Sequence, residues 1–391
     1  MTDTNPIQLP APTFAGGTKA ITTTPVVGAP RREYPEMFVP GEEALEDGEI
    51  RVTVLGSGNP WVTRGQSSES VLVEIGNSER DIFILDLGTG SLRNYASLKL
   101  PVNKLNKVFF THLHADHTSD LIPLSGSYSK VGRADGPVSV WGPSGAEPRL
   151  GTRHFVESIQ EALAWDTAGS RGPINPDSLE MKLTEFDFSQ TQVVYEANDV
   201  KITSFPVIHA LSGAVGYRID FAGLSVAHSG DTCPGWPLVR ACEGGVDLLI
   251  HECFPPAAVL AESTGLSIER ATMALNAAHT SPPAAGKVFS LVRPRMAGLI
   301  HTFLTPQVIP LIFSELRAVY DGPVVQTQDL TVFNITKEAI VARQADVIDQ
   351  LPPIAGEQSV DYTPVLPTPP DWWADARIPL DDVQTPPERS S

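Results

Sequence analysis

The sequence predicts an α+β fold in which two mixed β-sheets form the core and helices flank their outer faces. Two observations predict it. Short apolar segments that end at glycine, asparagine or other turn residues alternate with longer segments of helical periodicity, and this alternation occurs in both halves of the 391-residue chain. Strand-rich blocks flanked by helices in each half favour two packed sheets with helices outside.

Each predicted strand is a short segment rich in β-branched and aromatic residues. In the first half the predicted strands are 50–58, 70–76, 81–88, 107–114 and 138–145. In the second half they are a hairpin-joined group at 193–209, 216–223 and 224–231, followed by 246–254, 297–303, 323–329 and 330–336. Helical periodicity predicts helices at 153–165, 267–278, 281–294 and 305–320.

The two ends of the chain differ in composition from its centre. Residues 1–48 are rich in proline, threonine, glycine and alanine without periodicity, which predicts an extended N-terminal arm. Residues 346–391 are rich in proline and predict an irregular C-terminal tail. Trp372 and Trp373 suggest that this tail docks on another surface. We expect one folded domain between them, at 49–345.

Composition restricts the classes of function. The hydrophobic fraction of 41% is enough for a sizeable core, and the formal net charge of −18 disfavours broad contact with phosphate backbones. Nucleic acid is therefore expected to be an unlikely partner. Three cysteines at irregular spacing predict reduced thiols, no secretory signal pattern is visible, and no apolar run approaches the roughly 20 residues of a membrane span. These features predict a soluble, cytoplasmic protein.

The histidines are concentrated where α/β proteins build their sites. Of nine histidines in the chain, eight lie at the ends of predicted strands or at the start of a helix. These eight are His112, His114, His117, His209, His228, His251, His279 and His301. Any one of them has an ordinary structural explanation, but eight in this arrangement indicate a site.

The segment HLHADH at 112–117 has the composition of a two-metal site. His112 and His114 alternate after a predicted strand, so both side chains can bind one cation. Asp116 and His117 then face a neighbouring position about 3.5 Å away, the separation of two-metal centres. Imidazole and carboxylate ligands suit Zn²⁺, with Mn²⁺ or Fe²⁺ as alternatives. A competing interpretation of Asp116 is that it caps the following helix.

Three residues far along the chain are candidates to complete this site. Asp231, in HSGDT, can bridge two cations, because a two-metal centre needs a shared ligand. His209 is a candidate third ligand of the first cation, and His301 is a candidate ligand of the second.

These motifs resemble the metallo-β-lactamase fold. THLHADHTSDL matches the H-x-H-x-D-H signature, and PVIHALSGAVGYRI, SVAHSGDT, LLIHECF, NAAHTSP and LIHTFLTP follow in the expected order, so the resemblance covers about 50–335. The pairs His251–Glu252 and His279–Thr280 resemble the ribonuclease Z and arylsulfatase-like branch. The resemblance implies that 49–345 is a catalytic domain with an αββα sandwich, metals at one edge and a hydrolytic mechanism.

The resemblance also implies a ligand set. His112, His114 and His209 would bind one metal, Asp116, His117 and His301 would bind the other, and Asp231 would bridge them. A metal-bound hydroxide would attack the substrate, because two cations lower the pKa of a shared water. Two metals, most simply zinc, are therefore the expected cofactors.

The catalytic residues implied by the resemblance are Asp116, Glu252 and His279. Glu252 and His279 look like a carboxylate–histidine pair that protonates the leaving group, although Glu252 has the alternative of being a buried ion-pair partner. Asp86, in LDLGTG, is expected to orient a histidine ligand from behind.

The substrate is the least constrained part of the prediction. A tRNA-processing enzyme of this branch would be expected to carry a basic, glycine-rich arm between WGPSG and FPVIH, but that segment is acidic overall. The sequence therefore favours a small, apolar or aromatic substrate: an ester, sulfate ester, lactone or aryl halide. The alternatives are a phosphodiesterase of the ribonuclease Z type and an iron-dependent dioxygenase of the persulfide type. A homodimer is expected, because dimers are the commonest soluble oligomers.

Overall fold

The computed structural model describes residues 25–131, 136–349, 351–356 and 362–379. The first half of the expected N-terminal arm, residues 1–24, lies outside these ranges, as do residues 350, 357–361 and 380–391 of the expected C-terminal tail. Among the described residues no helix is long and apolar enough to cross a membrane.

The strands fall close to the predicted segments. They are β1 Val26–Gly28, β2 Met37–Phe38, β3 Ile50–Gly56, β4 Ser70–Ile75, β5 Ile82–Leu85, β6 Lys107–Phe109, β7 Val138–Pro143, β8 Met181–Phe186, β9 Gln192–Ala197, β10 Val200–Pro206, β11 Val215–Phe221, β12 Leu224–His228, β13 Leu248–Glu252, β14 Met296–Ile300, β15 Val324–Gln326, β16 Thr331–Ile335 and β17 Ala339–Ala345.

The helices include the four that periodicity predicts. They are α1 Ser91–Ser97, α2 Ala115–Thr118, α3 Leu121–Gly126, α4 Thr152–Ala162, α5 Ala164–Ser170, α6 Trp236–Ala241, α7 Ala257–Thr264, α8 Ile268–Ala278, α9 Pro282–Val292, α10 Val308–Arg317 and α11 Trp372–Ala376. The segment predicted as one helix at 153–165 is divided between α4 and α5, with Leu163 between them.

The strands form two mixed sheets. In the first sheet the order is β1-β17-β16-β3-β4-β5-β6-β7-β8, with β2 paired to β17, and the strands from β5 to β8 run parallel. In the second sheet the order is β15-β14-β13-β12-β11-β10-β9, and the strands from β12 to β15 run parallel. Both sheets therefore collect the carboxyl ends of parallel strands at one edge.

Apolar side chains fill three layers. The inner faces of the two sheets meet through residues such as Val52 and Phe83 on one side and Ile219 and Ile250 on the other. The outer face of the first sheet is covered by α1, α3 and α4, and that of the second by α6, α9 and α10. This helix–sheet–sheet–helix arrangement confirms the predicted αββα sandwich.

Strand β17 is one that the sequence pattern does not predict. Its apolar run is interrupted by Arg343, which is buried, and a buried charge argues against a central strand. The charge is tolerated because Glu43 accepts two hydrogen bonds from the guanidinium, at 2.6 and 2.8 Å. β17 also pairs with β1 and β2, so the described part of the arm is attached to the first sheet.

The described part of the tail contacts the body away from its tryptophans. The Val102 N–H donates to the Ile354 carbonyl at 2.9 Å, and the Val365 N–H donates to the Gly172 carbonyl at 2.8 Å. Trp372 and Trp373 remain 66% and 41% exposed. The expectation that these indoles dock the tail is therefore not met on this chain.

Candidate metal centre

The predicted site residues meet at the edge where parallel strands of both sheets end. His112, His114 and the short helix α2 follow β6 of the first sheet. Asp231 follows β12, Glu252 ends β13, and His301 follows β14, all in the second sheet. His209 lies three residues beyond β10, and His279 follows α8. Residues from separate segments thus converge because strand ends share an edge.

Four side chains form a first cluster of metal-ligand type. The facing atoms of His112, His114, His209 and Asp231 all lie within 4.8 Å of one another. His112 Nε2 is 2.9 Å from His114 Nδ1, which is 3.2 Å from His209 Nε2. Asp231 Oδ2 is 3.7 Å from His209 Nε2 and 3.9 Å from His112 Nε2. Three imidazoles and a carboxylate around one point are a donor set for Zn²⁺ or a similar cation.

A second cluster adjoins the first through the same aspartate. The other oxygen of that aspartate, Asp231 Oδ1, is 3.4 Å from both His117 Nε2 and His301 Nε2. Asp116 Oδ2 is 3.2 Å from His301 Nε2 and 3.6 Å from His117 Nε2. Asp231 therefore presents one oxygen to each cluster, which is the geometry of a bridging ligand.

Hydrogen bonds behind the histidines determine which ring nitrogen carries a proton. His117 Nδ1 lies 2.8 Å from Asp86 Oδ2, so Nδ1–H donates and Nε2 keeps its lone pair for the site. Thr111 donates its hydroxyl proton to Asp86 at 2.6 Å, so its oxygen accepts from His112 Nδ1 at 3.1 Å. His209 Nδ1 donates to the Ala278 carbonyl at 2.8 Å. Asp86 thus orients two imidazoles, one directly and one through Thr111.

Burial and charge act differently on the two clusters. Burial lowers the pKa of His112 well below its usual value and that of His209 to about 4, so both imidazoles stay neutral. Burial also opposes charge on His117 and His301, but the neighbouring carboxylates together outweigh it and raise both pKa values, to about 9 for His301. These carboxylates are Asp231 and Asp86 at His117, and Asp231, Asp116 and Glu69 at His301. The second cluster therefore attracts positive charge.

The second cluster includes a carboxylate that sequence reasoning missed. Glu69, immediately before β4, is fully buried, and its carboxylate faces His117, Asp231 and His301 within 4.8 Å. His228 Nε2 lies 3.2 Å from the other Glu69 oxygen. A single glutamate beside an apolar strand is not part of any recognisable metal-binding motif in the sequence. The available signal was its charge at the start of a strand that is otherwise entirely buried.

Glu252 and His279 lie in direct contact beside these clusters. His279 Nδ1 is 3.1 and 3.2 Å from the two oxygens of Glu252. The backbone N–H groups of Thr232 and Thr280 also donate to this carboxyl group. His279 Nδ1 is 4.0 Å from Asp231 Oδ2, so the pair borders the first cluster as well.

The residues of both clusters fit metal ions. Several buried atoms of metal-ligand type have no hydrogen-bond partner among the described residues, namely His117 Nε2, Asp231 Oδ1 and the Glu69 oxygen on the side of His301. These atoms face a common point, and buried polar atoms without partners are costly unless a ligand satisfies them. The N-cap of α2 is His114, with no side-chain cap, so Asp116 is not needed to cap that helix.

Comparison with known proteins identifies the family. Residues 84–302, more than half of the chain, match the family model described as the beta-lactamase superfamily domain. The chain belongs to this superfamily. A ribonuclease Z from Mycolicibacterium gilvum is 29% identical over 205 residues, which are 52% of this chain and 68% of that protein. A ribonuclease Z from Mycobacterium marinum is 27% identical over 205 residues, 52% of this chain and 70% of that protein.

Solved structures of this superfamily share the fold. The metallo-β-lactamase fold protein YhfI from Bacillus subtilis aligns with a TM-score of 0.55 at 18% identity, covering 74% of this chain and 100% of that one. The short form of human tRNase Z aligns with a TM-score of 0.52 at 19% identity, covering 73% of this chain and 98% of that one. The recognition of a metallo-β-lactamase-fold hydrolase is therefore confirmed.

The superfamily comparison corrects one expectation. We expected a small-molecule substrate and an unlikely role for nucleic acid, but the matching relatives are named for ribonuclease Z, so that expectation was wrong. The net charge of −18 sums the whole surface, whereas a nuclease contacts its substrate through a limited area around the site. A global charge balance is therefore a poor guide to the substrate of a superfamily member with a deep metal centre.

The buried glutamate gives a first testable prediction. Glu69→Gln removes one negative charge from the second cluster while keeping the side-chain shape. We expect metal affinity at that cluster to fall about 10- to 100-fold, with the first cluster little changed. Calorimetric titration of chelator-treated protein with Zn²⁺ measures the metal affinity of each cluster. The control is Glu79→Gln, at an exposed position, and equal affinities for both variants would refute the role of Glu69.

Proposed function

We propose that this protein is a metal-dependent phosphodiesterase that cleaves RNA, as its ribonuclease Z relatives are named to do. The observation that carries the proposal is the pair of donor clusters that share Asp231, with the Glu252–His279 pair beside them. Two adjacent clusters with a common carboxylate favour two cations over a single iron, and phosphodiester cleavage is typical chemistry of such centres. The names of the relatives support RNA as the diester.

Each group of residues has a function in this reaction. When bound, two cations supply a nucleophilic water of lowered pKa and neutralise charge on the phosphoryl oxygens. His112, His114 and His209 would hold the first cation, and Asp116, His117, His301 and Glu69 would surround the second. Asp86 keeps the imidazole lone pairs directed at these positions, so little reorganisation is needed during the reaction.

The Glu252–His279 pair moves a proton to the leaving group. Because His279 Nδ1 faces Glu252, Nε2 is the ring nitrogen left to face the substrate. As the bond from phosphorus to the leaving oxygen breaks, His279 Nε2 gives its proton to that oxygen, and Nδ1 receives one from Glu252. Burial and the nearby Asp231 raise the pKa of Glu252 well above its usual range, which suits a carboxyl group that starts protonated.

We also propose which metal ions the two clusters bind. The imidazole-rich first cluster suits Zn²⁺, and the three carboxylates around the second cluster also accept Mn²⁺. A homodimer and a cytoplasmic location remain predictions.

The decisive experiment is cleavage of a precursor tRNA with a 3′ extension by protein loaded separately with Zn²⁺ and Mn²⁺. We expect cleavage with at least one metal and none after chelation, because the water and the phosphoryl group both need cations. A single-stranded oligonucleotide and an aryl phosphodiester serve as further substrates. Absence of hydrolysis of every phosphodiester by fully loaded protein would refute the proposed function.

A further inference from the structure

A cavity of about 410 Å³ opens directly beside the first cluster. Its floor is formed by His112, His114 and His209. One wall comes from residues 149–158, around the start of α4, and the opposite wall from residues 211–214, in the loop before β11. The volume lies in the range of pockets that enclose a small ligand or one unit of a polymer.

The wall at α4 combines an aromatic ring with cationic and polar groups. Phe155 lines the cavity and is held from behind by an edge contact with Phe110, whose ring centroid is 6.2 Å away. Arg149 lines the same wall with an exposed side chain, and its contact with Glu147 is a surface pair at 3.5 Å. His154 and Ser158 complete the polar part. A fixed ring with a cation beside it is the arrangement on which nucleic-acid bases stack.

The position of the cavity relative to the proton donor indicates which part of a substrate it receives. Among the described residues, the Glu252–His279 pair does not line the cavity, which opens from the first cluster beside His112 and His114. We therefore place the nucleotide whose oxygen His279 protonates outside the cavity, on the side of His301, whose ring centroid is 5.7 Å from that of His279. The cavity is left for the nucleotide that retains the phosphoryl group.

We infer that this cavity is a subsite for one unpaired nucleotide of an RNA strand, on the side that retains the phosphate. Phe155 stacks on the base and Arg149 pairs with the backbone phosphate. The inference rests on the proposed phosphodiesterase function. An A-form duplex is too wide to enter a cavity of this size, so the substrate strand is single at this position.

The chain segment that forms this wall explains how an acidic protein contacts RNA. Within residues 144–191, Val156 and Phe155 pack into the apolar cluster outside the first sheet, which holds the start of α4 against the body. In this proposal the protein contacts only a short unpaired end of the RNA strand. The electrostatic repulsion from a net charge of −18 is smallest for such a small contact.

The test compares Arg149→Ala and Phe155→Leu with the matched control Arg153→Ala. Arg153 is an exposed arginine of α4 that does not line the cavity. The substrates are an unpaired RNA oligonucleotide and a blunt duplex of the same sequence. We expect each cavity variant to raise KM for the unpaired RNA about tenfold with little change in kcat, while the control matches wild type.

The outcomes separate the two proposals. If wild type cleaves no RNA, the proposed function and the subsite both fail. If wild type cleaves RNA but Arg149→Ala and Phe155→Leu behave like Arg153→Ala, the function stands and the subsite is refuted. Equal cleavage of the blunt duplex would also refute it. Melting temperatures verify that Phe155→Leu is folded, and Arg149, which is exposed, tests the inference independently of the core.

Discussion

Replacement of Asp231 by asparagine is expected to abolish hydrolysis and to leave the fold intact. The carboxylate presents Oδ2 to the first cluster and Oδ1 to the second, so one substitution removes the shared negative charge from both. The asparagine side chain keeps the shape, and Oδ1 of Asp231 has no hydrogen-bond partner among the described residues, so no described structural hydrogen bond to this atom is lost. We expect kcat to fall about 10³-fold or more, because charge stabilisation at a transition state is lost together with bound metal.

Three measurements on Asp231→Asn separate chemistry from folding. Turnover of an aryl phosphodiester reports the rate, metal analysis reports the number of cations retained, and circular dichroism reports the melting temperature. Asp220→Asn is the control, since Asp220 pairs with Arg218, two residues earlier on the same strand β11, and is not part of either cluster. Turnover within a few-fold of wild type in Asp231→Asn would show that the two clusters do not act through a bridging carboxylate.

The second large effect concerns the proton donor. His279→Ala is expected to slow diesters with poor leaving groups, such as RNA, by about 10²- to 10⁴-fold, because the departing alkoxide then receives no proton. Diesters of nitrophenol release nitrophenolate, which is a stable anion without a proton, so their hydrolysis should be slowed much less. A plot of rate against leaving-group pKa therefore becomes steeper in the variant than in wild type.

Glu252→Gln is the companion variant for this prediction. The glutamine side chain keeps a hydrogen bond to His279 Nδ1 but cannot hand over a proton, so we expect a smaller effect with the same dependence on leaving group. A structural role would slow all substrates equally. Parallel leaving-group plots for wild type and His279→Ala would therefore contradict the acid role.

The sequence predicts the sandwich and the location of the site for a physical reason. Alternation of short strands and helices determines the layers, and the ends of parallel strands must share an edge, so the ligand residues after β6, β12 and β14 converge. Glu69 escapes prediction because its role depends on burial beside His301, which no local spacing encodes.

The substrate contacts depend even more strongly on tertiary structure. Phe155 and Arg149 lie in an ordinary amphipathic segment, and only its packing against the first sheet places them over His112. The buried arginine in β17 is a similar case, since its partner Glu43 lies 300 residues earlier in the chain. Such distant pairs are fixed by the fold and leave no periodic trace in the sequence.

The two clusters also join the halves of the molecule. His112, His114, Asp116 and His117 follow strand β6 of the first sheet, whereas His209, Asp231 and His301 follow strands of the second. Any ligand held by both groups binds only the assembled sandwich, so its binding free energy adds to the free energy of unfolding. The centre therefore links the two sheets as well as providing a reaction site. Metal-bound protein should be more stable to unfolding than metal-free protein, because the bound ions hold the two sheets together at this edge.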